Sequence, residues 1–186
     1  MRRTGMRIFR RGFPALVLLT GFAAPAAAEL KDSSASGFTI ENVVEVPVTP
    51  AEAWRGLVRE VDRWWPRDHT WWGEESTLSI DPVAGGCFCE RAGARQAEHL
   101  RVGFVDPEKT LRLLGGLGPL QGLGLHGVLE FSIAAREEGG SRIVMRYRAG
   151  GYATEDLQAL APIVDRVQAQ QLRALATHLG AAAPAE

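Results

Sequence analysis

The sequence predicts an α+β fold in which a one-faced antiparallel sheet is covered by a single long C-terminal helix. Three observations carry this reading. Leu129, Phe131 and Ile133 alternate with Glu130 and Ser132, and Ile143, Met145 and Tyr147 alternate with Val144, Arg146 and Arg148. Successive strand side chains point to opposite faces, so each run buries one face and wets the other. Leu157, Leu160, Val164, Val167, Leu175 and Leu179 then recur at helical spacing within residues 155–179. The order is strand, helix, six strands, long helix. A meander of strands leaves an apolar face uncovered, and a helix of about 25 residues is long enough to lie across it.

Residues 1–28 read as a signal peptide. Arg2, Arg3, Arg7, Arg10 and Arg11 precede the apolar run Phe13–Leu19, and Ala26-Ala27-Ala28 offers the small residues of a cleavage site before Glu29. The run is too short for a permanent membrane anchor. Arg10-Arg11-Gly12-Phe13 is compatible with twin-arginine export as well as with the general secretory route. The expected location is periplasmic or secreted. Of 21 basic residues five lie in this leader, whereas none of the 22 acidic residues does, so the mature chain carries a net charge of about −6. That balance argues against nucleic acid or an anionic membrane as partner.

Residues 29–36 have no pattern and read as a flexible tether to one domain, 37–180, with a disordered tail at 181–186. Gly37–Val46 is β-branched and reads as the first strand. Thr49-Pro50-Ala51-Glu52 is a capping box with proline at the first helical position. Ala53, Trp54, Leu57, Val58 and Val61 continue it as a helix expected to fade at Trp65, before Pro66. Strands follow near 77–81, 86–91, 96–105, 110–114, 123–134 and 141–150, separated by Asp-Pro and Gly-Gly turns. Pro162 is expected to kink the last helix or to mark its true first turn.

The order and its motifs resemble the SRPBCC (START-like, helix-grip) superfamily. The nearer likeness is to the branch that holds the activator of the heat-shock ATPase and polyketide cyclase-like proteins. The residues that carry it are Val46–Trp54, Arg63-Trp64-Trp65, Ile80-Asp81-Pro82 with Gly85–Glu90, Val105-Asp106-Pro107 and Gln171–Leu175. The resemblance implies a helix-grip fold, a curved sheet wrapped around the C-terminal helix with an internal apolar cavity. Such proteins bind hydrophobic small molecules, act as adaptors or, in a minority, catalyse cyclisation or hydrolysis. No catalytic set is common to the superfamily, and no cofactor is implied.

Four of the five tryptophans fall at Trp64, Trp65, Trp71 and Trp72. Large aromatic faces on a connecting segment suit either a lid over the core or the wall of a ligand cavity. His69 between the pairs is a candidate polar anchor or a solvated loop histidine. Cys87 and Cys89 share one strand face at about 7 Å, the outer limit for a disulfide. They are expected to be unbridged and packed. A bridge would need the strand to buckle, and a metal site would need further ligands such as His99 or His126, so no metal is expected.

Phe88 and Glu90 share the other face. Glu90 is either a carboxylate beside an apolar pocket, and then the candidate acid or ligand anchor, or an edge carboxylate paired with Arg91 or Arg101 in water. His99 and Arg101 alternate with Leu100, Val102 and Phe104, and so are expected on the wet face, as is His126 with Glu130. The glycine-rich run 114–124 lacks a lysine and opens no helix, which disfavours a phosphate cradle and fits an apolar loop at a cavity entrance.

The expected function is binding of a hydrophobic or aromatic small molecule between sheet and C-terminal helix. The expected cavity residues are Trp64, Trp65, Trp71, Trp72, Phe88, Phe104, Leu113, Phe131, Met145 and Tyr147, with Tyr147 or Glu90 orienting the ligand. One rival is a cyclase-like or hydrolytic enzyme using Glu90 and a histidine. The other is a protein-interaction or co-chaperone-like module acting through exposed tryptophan and leucine.

Overall fold

A computed structural model describes Met1 and residues 28–182. Most of the expected signal peptide (2–27) and of the expected tail (183–186) lies outside the described residues. The strands are β1 (Ala28–Ser34), β2 (Gly37–Val46), β3 (Thr77–Ile80), β4 (Cys87–Ala92), β5 (Arg95–Asp106), β6 (Thr110–Leu114), β7 (His126–Ala135) and β8 (Ser141–Gly150). The helices are α1 (Pro50–Arg59), α2 (Val61–Trp64) and α3 (Leu157–His178). All strands join one curved antiparallel sheet in the order β1-β2-β8-β7-β6-β5-β4-β3. The first long strand, β2, lies beside the last, β8, and α3 packs against β2 and β1. This is the α+β helix-grip architecture. No helix among the described residues is long and apolar enough to cross a membrane.

The alternation of β7 and β8 is realised in the structure. Leu129, Phe131, Ile143, Met145 and Tyr147 are buried with Leu111 and Leu113 of β6, against Leu172 and Leu175 of α3. The capping box forms: Glu52 N–H donates to Thr49 Oγ1 at 3.4 Å and Thr49 N–H to Glu52 Oε2 at 2.9 Å. Asp156 caps α3 by accepting from Gln158 N–H and Ala159 N–H. The helix then runs unbroken through Pro162 to His178.

Three expectations are corrected by backbone geometry. Residues 29–36 are not a free tether; up to Ser34 they belong to edge strand β1, which pairs with β2, since a backbone ladder needs no side-chain pattern. The first helix does not continue to Trp65. It breaks at Glu60 (φ −120°, ψ 19°), whose carboxylate meets His178 Nε2 at 2.7 Å, and α2 turns Val61 and Trp64 into the core. Cys87 and Cys89 are not free thiols but form a disulfide, their Cα atoms 5.4 Å apart. The contraction that a bridge requires sits where the β4–β5 register shifts, at Phe88/Cys89.

That shift also redirects β5. Phe88 faces Leu100 and Cys89 faces Glu98, which leaves His99 as the extra residue of a bulge. His99 and Leu100 are consequently both buried, although they are neighbours. A second shift between Val102 and Phe104 makes Gly103 another extra residue and reverses the alternation again. Phe104 is therefore not a cavity residue. It stands 44 % exposed on the outer face, with the Arg112 guanidinium 5.2 Å from its ring centroid.

The parity switch is testable by paired truncations. Phe104→Ala is expected to change stability by less than about 1 kcal/mol, the scale of an exposed cation–π contact. Phe131→Ala should lose about 3–5 kcal/mol. Urea midpoints with similar losses at both positions would mean that Phe104 points inward.

Candidate functional site

The tryptophan segment between α2 and β3 is held by one arginine. Arg67 Nη1 donates to Asp62 Oδ1 (3.0 Å) and to the Ser76 carbonyl (3.0 Å), while Nη2 donates to the Asp62 carbonyl (2.6 Å). Asp62 also accepts from Leu78 N–H at 2.8 Å, and its carboxyl lies below the usual range because Arg67 and this amide outweigh the effect of burial. Trp64 and Trp65 are buried, their rings 5.4 Å apart, and Trp65 stands edge-on to Phe88 at 5.1 Å. Their N–H groups donate to the carbonyls of Gly56 and His69. Trp71 is 48 % exposed, and half-buried Trp72 carries the Arg95 guanidinium 5.4 Å from its ring centroid.

The segment's backbone closes on Glu90 of β4. This carboxylate is wholly buried. Its Oε1 accepts from Trp71 N–H (2.8 Å), Trp72 N–H (3.3 Å) and the Ser76 hydroxyl (2.6 Å), and its Oε2 meets His99 Nε2 at 2.8 Å. Four converging donors suit a carboxylate, which is acceptor-only when ionised. Neither Arg91 nor Arg101 pairs with Glu90; Arg101 pairs with Glu98 instead.

His99 reaches Glu90 only because of the β5 bulge, which corrects its expected place on the wet face. The displaced carbonyls of Glu98 and His99 are taken up by the side-chain amide of Gln121, from the glycine-rich run. The His99 ring packs 5.1 Å from Phe88 and is 3 % exposed. Burial pushes its imidazole below the usual histidine range, against the opposite pull of Glu90. With Nε2 donating to Glu90, the neutral ring carries its lone pair on Nδ1, and that atom is buried with no partner in the protein.

The glycine-rich run is latched from inside by Tyr147. The phenol accepts from Leu117 N–H (3.0 Å) and donates to the Gly115 carbonyl (3.1 Å). Burial lifts its pKa to about 12, so it remains a donor. Gly127 makes room for this ring, since a Cβ there would fall 2.7 Å from Tyr147 Cε2. Tyr147 thus orients the loop and does not line the cavity.

A partly open cavity of about 330 Å³ lies between three walls. Trp65, His69 and Trp71 form one, and Leu117, Pro119 and Leu120 form the second. The third is a face of α3: Leu160, Ile163, Val164, Val167, Gln168 and Gln171. His99 contributes from β5. Of the residues expected to line it, Trp65 and Trp71 do. Trp64, Phe88, Leu113, Phe131, Met145 and Tyr147 are packed in the core, and Trp72 lies outside the lining.

The polar composition of this lining is unusual. Among the described residues, the buried side-chain polar atoms with no protein partner are His69 Nδ1, His99 Nδ1, Gln168 Nε2 and Oε1, and Gln171 Oε1. All belong to the lining of this one cavity. Its lining includes one charged residue, Asp68, and no lysine or arginine. Gln168 and Gln171 are not among the expected site residues. Their signal was two amides at i, i+3 continuing the spacing of Leu160, Val164 and Val167. A more open depression of about 360 Å³ between the exposed Glu98, Arg101 and His126 side chains holds none of the orphaned amides. Among the described residues no three of His, Cys, Asp or Glu are grouped to hold a metal.

No family model matches the chain, and no curated protein does. Solved structures do match. A Rhodobacter sphaeroides protein superposes with a TM-score of 0.56 at 18% identity, over 82% of this chain and 97% of that one. CalU16 from Micromonospora echinospora gives 0.56 at 12%, over 86% and 87%. DynU16, encoded in the dynemicin biosynthetic locus, gives 0.53 at 16%, over 76% of this chain and 46% of its own length. At these identities the similarity shows the fold: small antiparallel-sheet proteins of helix-grip type.

Removing the charge from Glu90 should be severe. Glu90→Gln is expected to lose about 2–4 kcal/mol, because charge-assisted bonds weaken and one amide N–H must face a donor. Tyr147→Phe should lose about 1–3 kcal/mol by orphaning Leu117 N–H and the Gly115 carbonyl. The pH dependence has a definite sign. Burial depresses the His99 pKa below the ordinary histidine value of 6.5, so the unfolded chain binds that proton more readily. Stability should therefore fall as pH drops through 6.5 and level off once the folded ring is also protonated. An NMR titration placing His99 at or above 6.5 would contradict this.

Proposed function

We propose that the protein binds an uncharged small molecule with a flat apolar body and a polar edge in the cavity between the tryptophan segment, the glycine-rich loop and α3. One observation carries the reading: the residues that hold the orphaned buried polar atoms all line that cavity. Leaving such an atom unpaired disfavours folding by about 1–3 kcal/mol, and native proteins bury few. Gathering them at one site suits an occupant whose polar edge satisfies them. The volume is at the lower end of small-molecule sites, about 300–1,000 Å³. Without a cation in the lining, the cavity is ill suited to a fatty-acid carboxylate or a lipid phosphate.

Kinship with the polyketide cyclase-like branch is part of the same proposal, supported by the fold shared with CalU16 and DynU16 and by the motif order. Export is a second part. The arginine-rich leader pattern supports it, and the Cys87–Cys89 disulfide suits an oxidising compartment. Mass analysis of the periplasmic protein should give a chain beginning at Glu29.

Binding is tested by tryptophan emission and native mass spectrometry. The neutral probe 1-aminoanthracene should be taken up with Kd of about 1–100 μM, and palmitate should not. Gln168→Leu with Gln171→Leu should stabilise the empty protein by about 1 kcal/mol or more while weakening polar-edged ligands about tenfold. A double variant that is less stable and binds unchanged would sink the proposal.

A further inference from the structure

We propose that this cavity also performs chemistry: His99 Nδ1 is a general base that removes a proton from the bound molecule, and Glu90 is the residue that positions it. The inference rests on the binding reading and extends it from holding a ligand to transforming one. Three features of the geometry carry it. His99 lines the cavity, its Nε2 is committed to Glu90 at 2.8 Å, and its Nδ1 is buried without a partner. A carboxylate behind one ring nitrogen fixes the tautomer, directs the lone pair to the other nitrogen and stabilises the imidazolium once the proton arrives. Such an arrangement is more than packing requires, because a core histidine ordinarily has both nitrogens satisfied.

The rest of the lining narrows the substrate class. Gln168 Nε2 is an orphaned donor of the α3 wall, where negative charge developing on an oxygen would find a hydrogen bond. Base and donor together suit an uncharged, enolisable ketone. In the step, the C–H bond next to the carbonyl breaks and the proton goes to His99 Nδ1. The C–H electron pair becomes the new C=C bond, and the carbonyl π pair moves to oxygen, which accepts from Gln168. Return of the proton to the same carbon regenerates the ketone, and exchange results when a solvent deuteron replaces the proton on Nδ1 first. Where the enolate is conjugated with a second C=C bond, return to its far carbon gives a 1,3-shift. No oxidant, reductant or metal is consumed. The titratable and charged groups that share a bond or a lining with His99 are Glu90 from β4, Asp68 and His69 from the tryptophan segment and, at the more open depression, Glu98 and Arg101 of β5 and His126 of β7. Neither α3, which presents the neutral amides Gln168 and Gln171, nor the loop wall of Leu117–Leu120 adds a titratable group to the cavity lining.

The test uses 2-tetralone, a flat neutral ketone, with the whole protein in D₂O. Binding is followed by tryptophan quenching, and exchange of the C–H next to the carbonyl by proton NMR. Exchange is expected to be saturable and about a hundredfold faster than with free imidazole at equal concentration. It should rise as His99 loses its proton and then reach a plateau. His99→Gln should abolish it even at ketone concentrations that saturate the tryptophan quenching of that variant. Glu90→Asp should retain part of the rate with a shifted pH midpoint, which a merely structural role would not produce. Nitrogen-15 NMR of the unaltered protein gives a check independent of folding in the variants, and a neutral His99 protonated at Nδ1 would overturn the assignment. Quenching without exchange above the imidazole control would remove the base and leave the binding proposal standing. Neither quenching nor exchange up to the solubility limit of the ketone would count against both.

Discussion

The buried carboxylate of Glu90 is the constraint on which the site depends. A carboxylate removed from water is strongly disfavoured unless its lone pairs are occupied, and here four donors from three separate stretches of chain occupy them. Two are the amides of Trp71 and Trp72, so the carboxylate shapes the tryptophan segment through its backbone and not through its rings. The third is Ser76, just before β3, and the fourth is His99 on β5. One ionisable group in β4 therefore sets the path of the loop above the sheet and the orientation of a ring within it.

The bulge at His99 is the counterpart of that constraint. An ordinary antiparallel register would send His99 into solvent and leave Glu90 one donor short. The disulfide bracketing Phe88 and the amide of Gln121 both lie at the irregularity, one on each side of the strand pair. Gln121 belongs to the same glycine-rich run that Tyr147 latches through Gly115 and Leu117. Loop, bulge and dyad are thus mechanically one unit, although their residues are spread over β4, β5, β8 and a connection.

The cavity shows the opposite economy. Next to a carboxylate that meets four donors, four side chains leave polar atoms unpaired on a mostly apolar surface. A sequence selected for stability alone would place leucine at 168 and 171, as it does at 172 and 175 on the neighbouring face. Stability is forgone there, in keeping with a site that is complete only when occupied.

Much of the fold was legible because it rests on short-range rules. The alternation of β7 and β8, the capping box at Thr49 and the apolar periodicity of the last helix each report local geometry, and all seven expected strands and both terminal helical regions are present. Glu90 was also legible as a candidate, because Phe88 two residues earlier marks the inner face. His99 and Phe104 were not. Their directions depend on two one-residue insertions in β5, and a bulge leaves no periodic trace because it breaks the period on which such reading relies. The disulfide was missed for the same reason, since ideal strand spacing holds the two thiols too far apart. Gln168 and Gln171 could be placed on a helix face from sequence, but which partners they lack is a property of what stands opposite. By itself the sequence determined the elements and the faces they bury, which follow from chemistry within a few residues. Tertiary structure alone decided the cavity and the Glu90–His99 pair, because both exist only where distant strands, a loop and a helix are brought together.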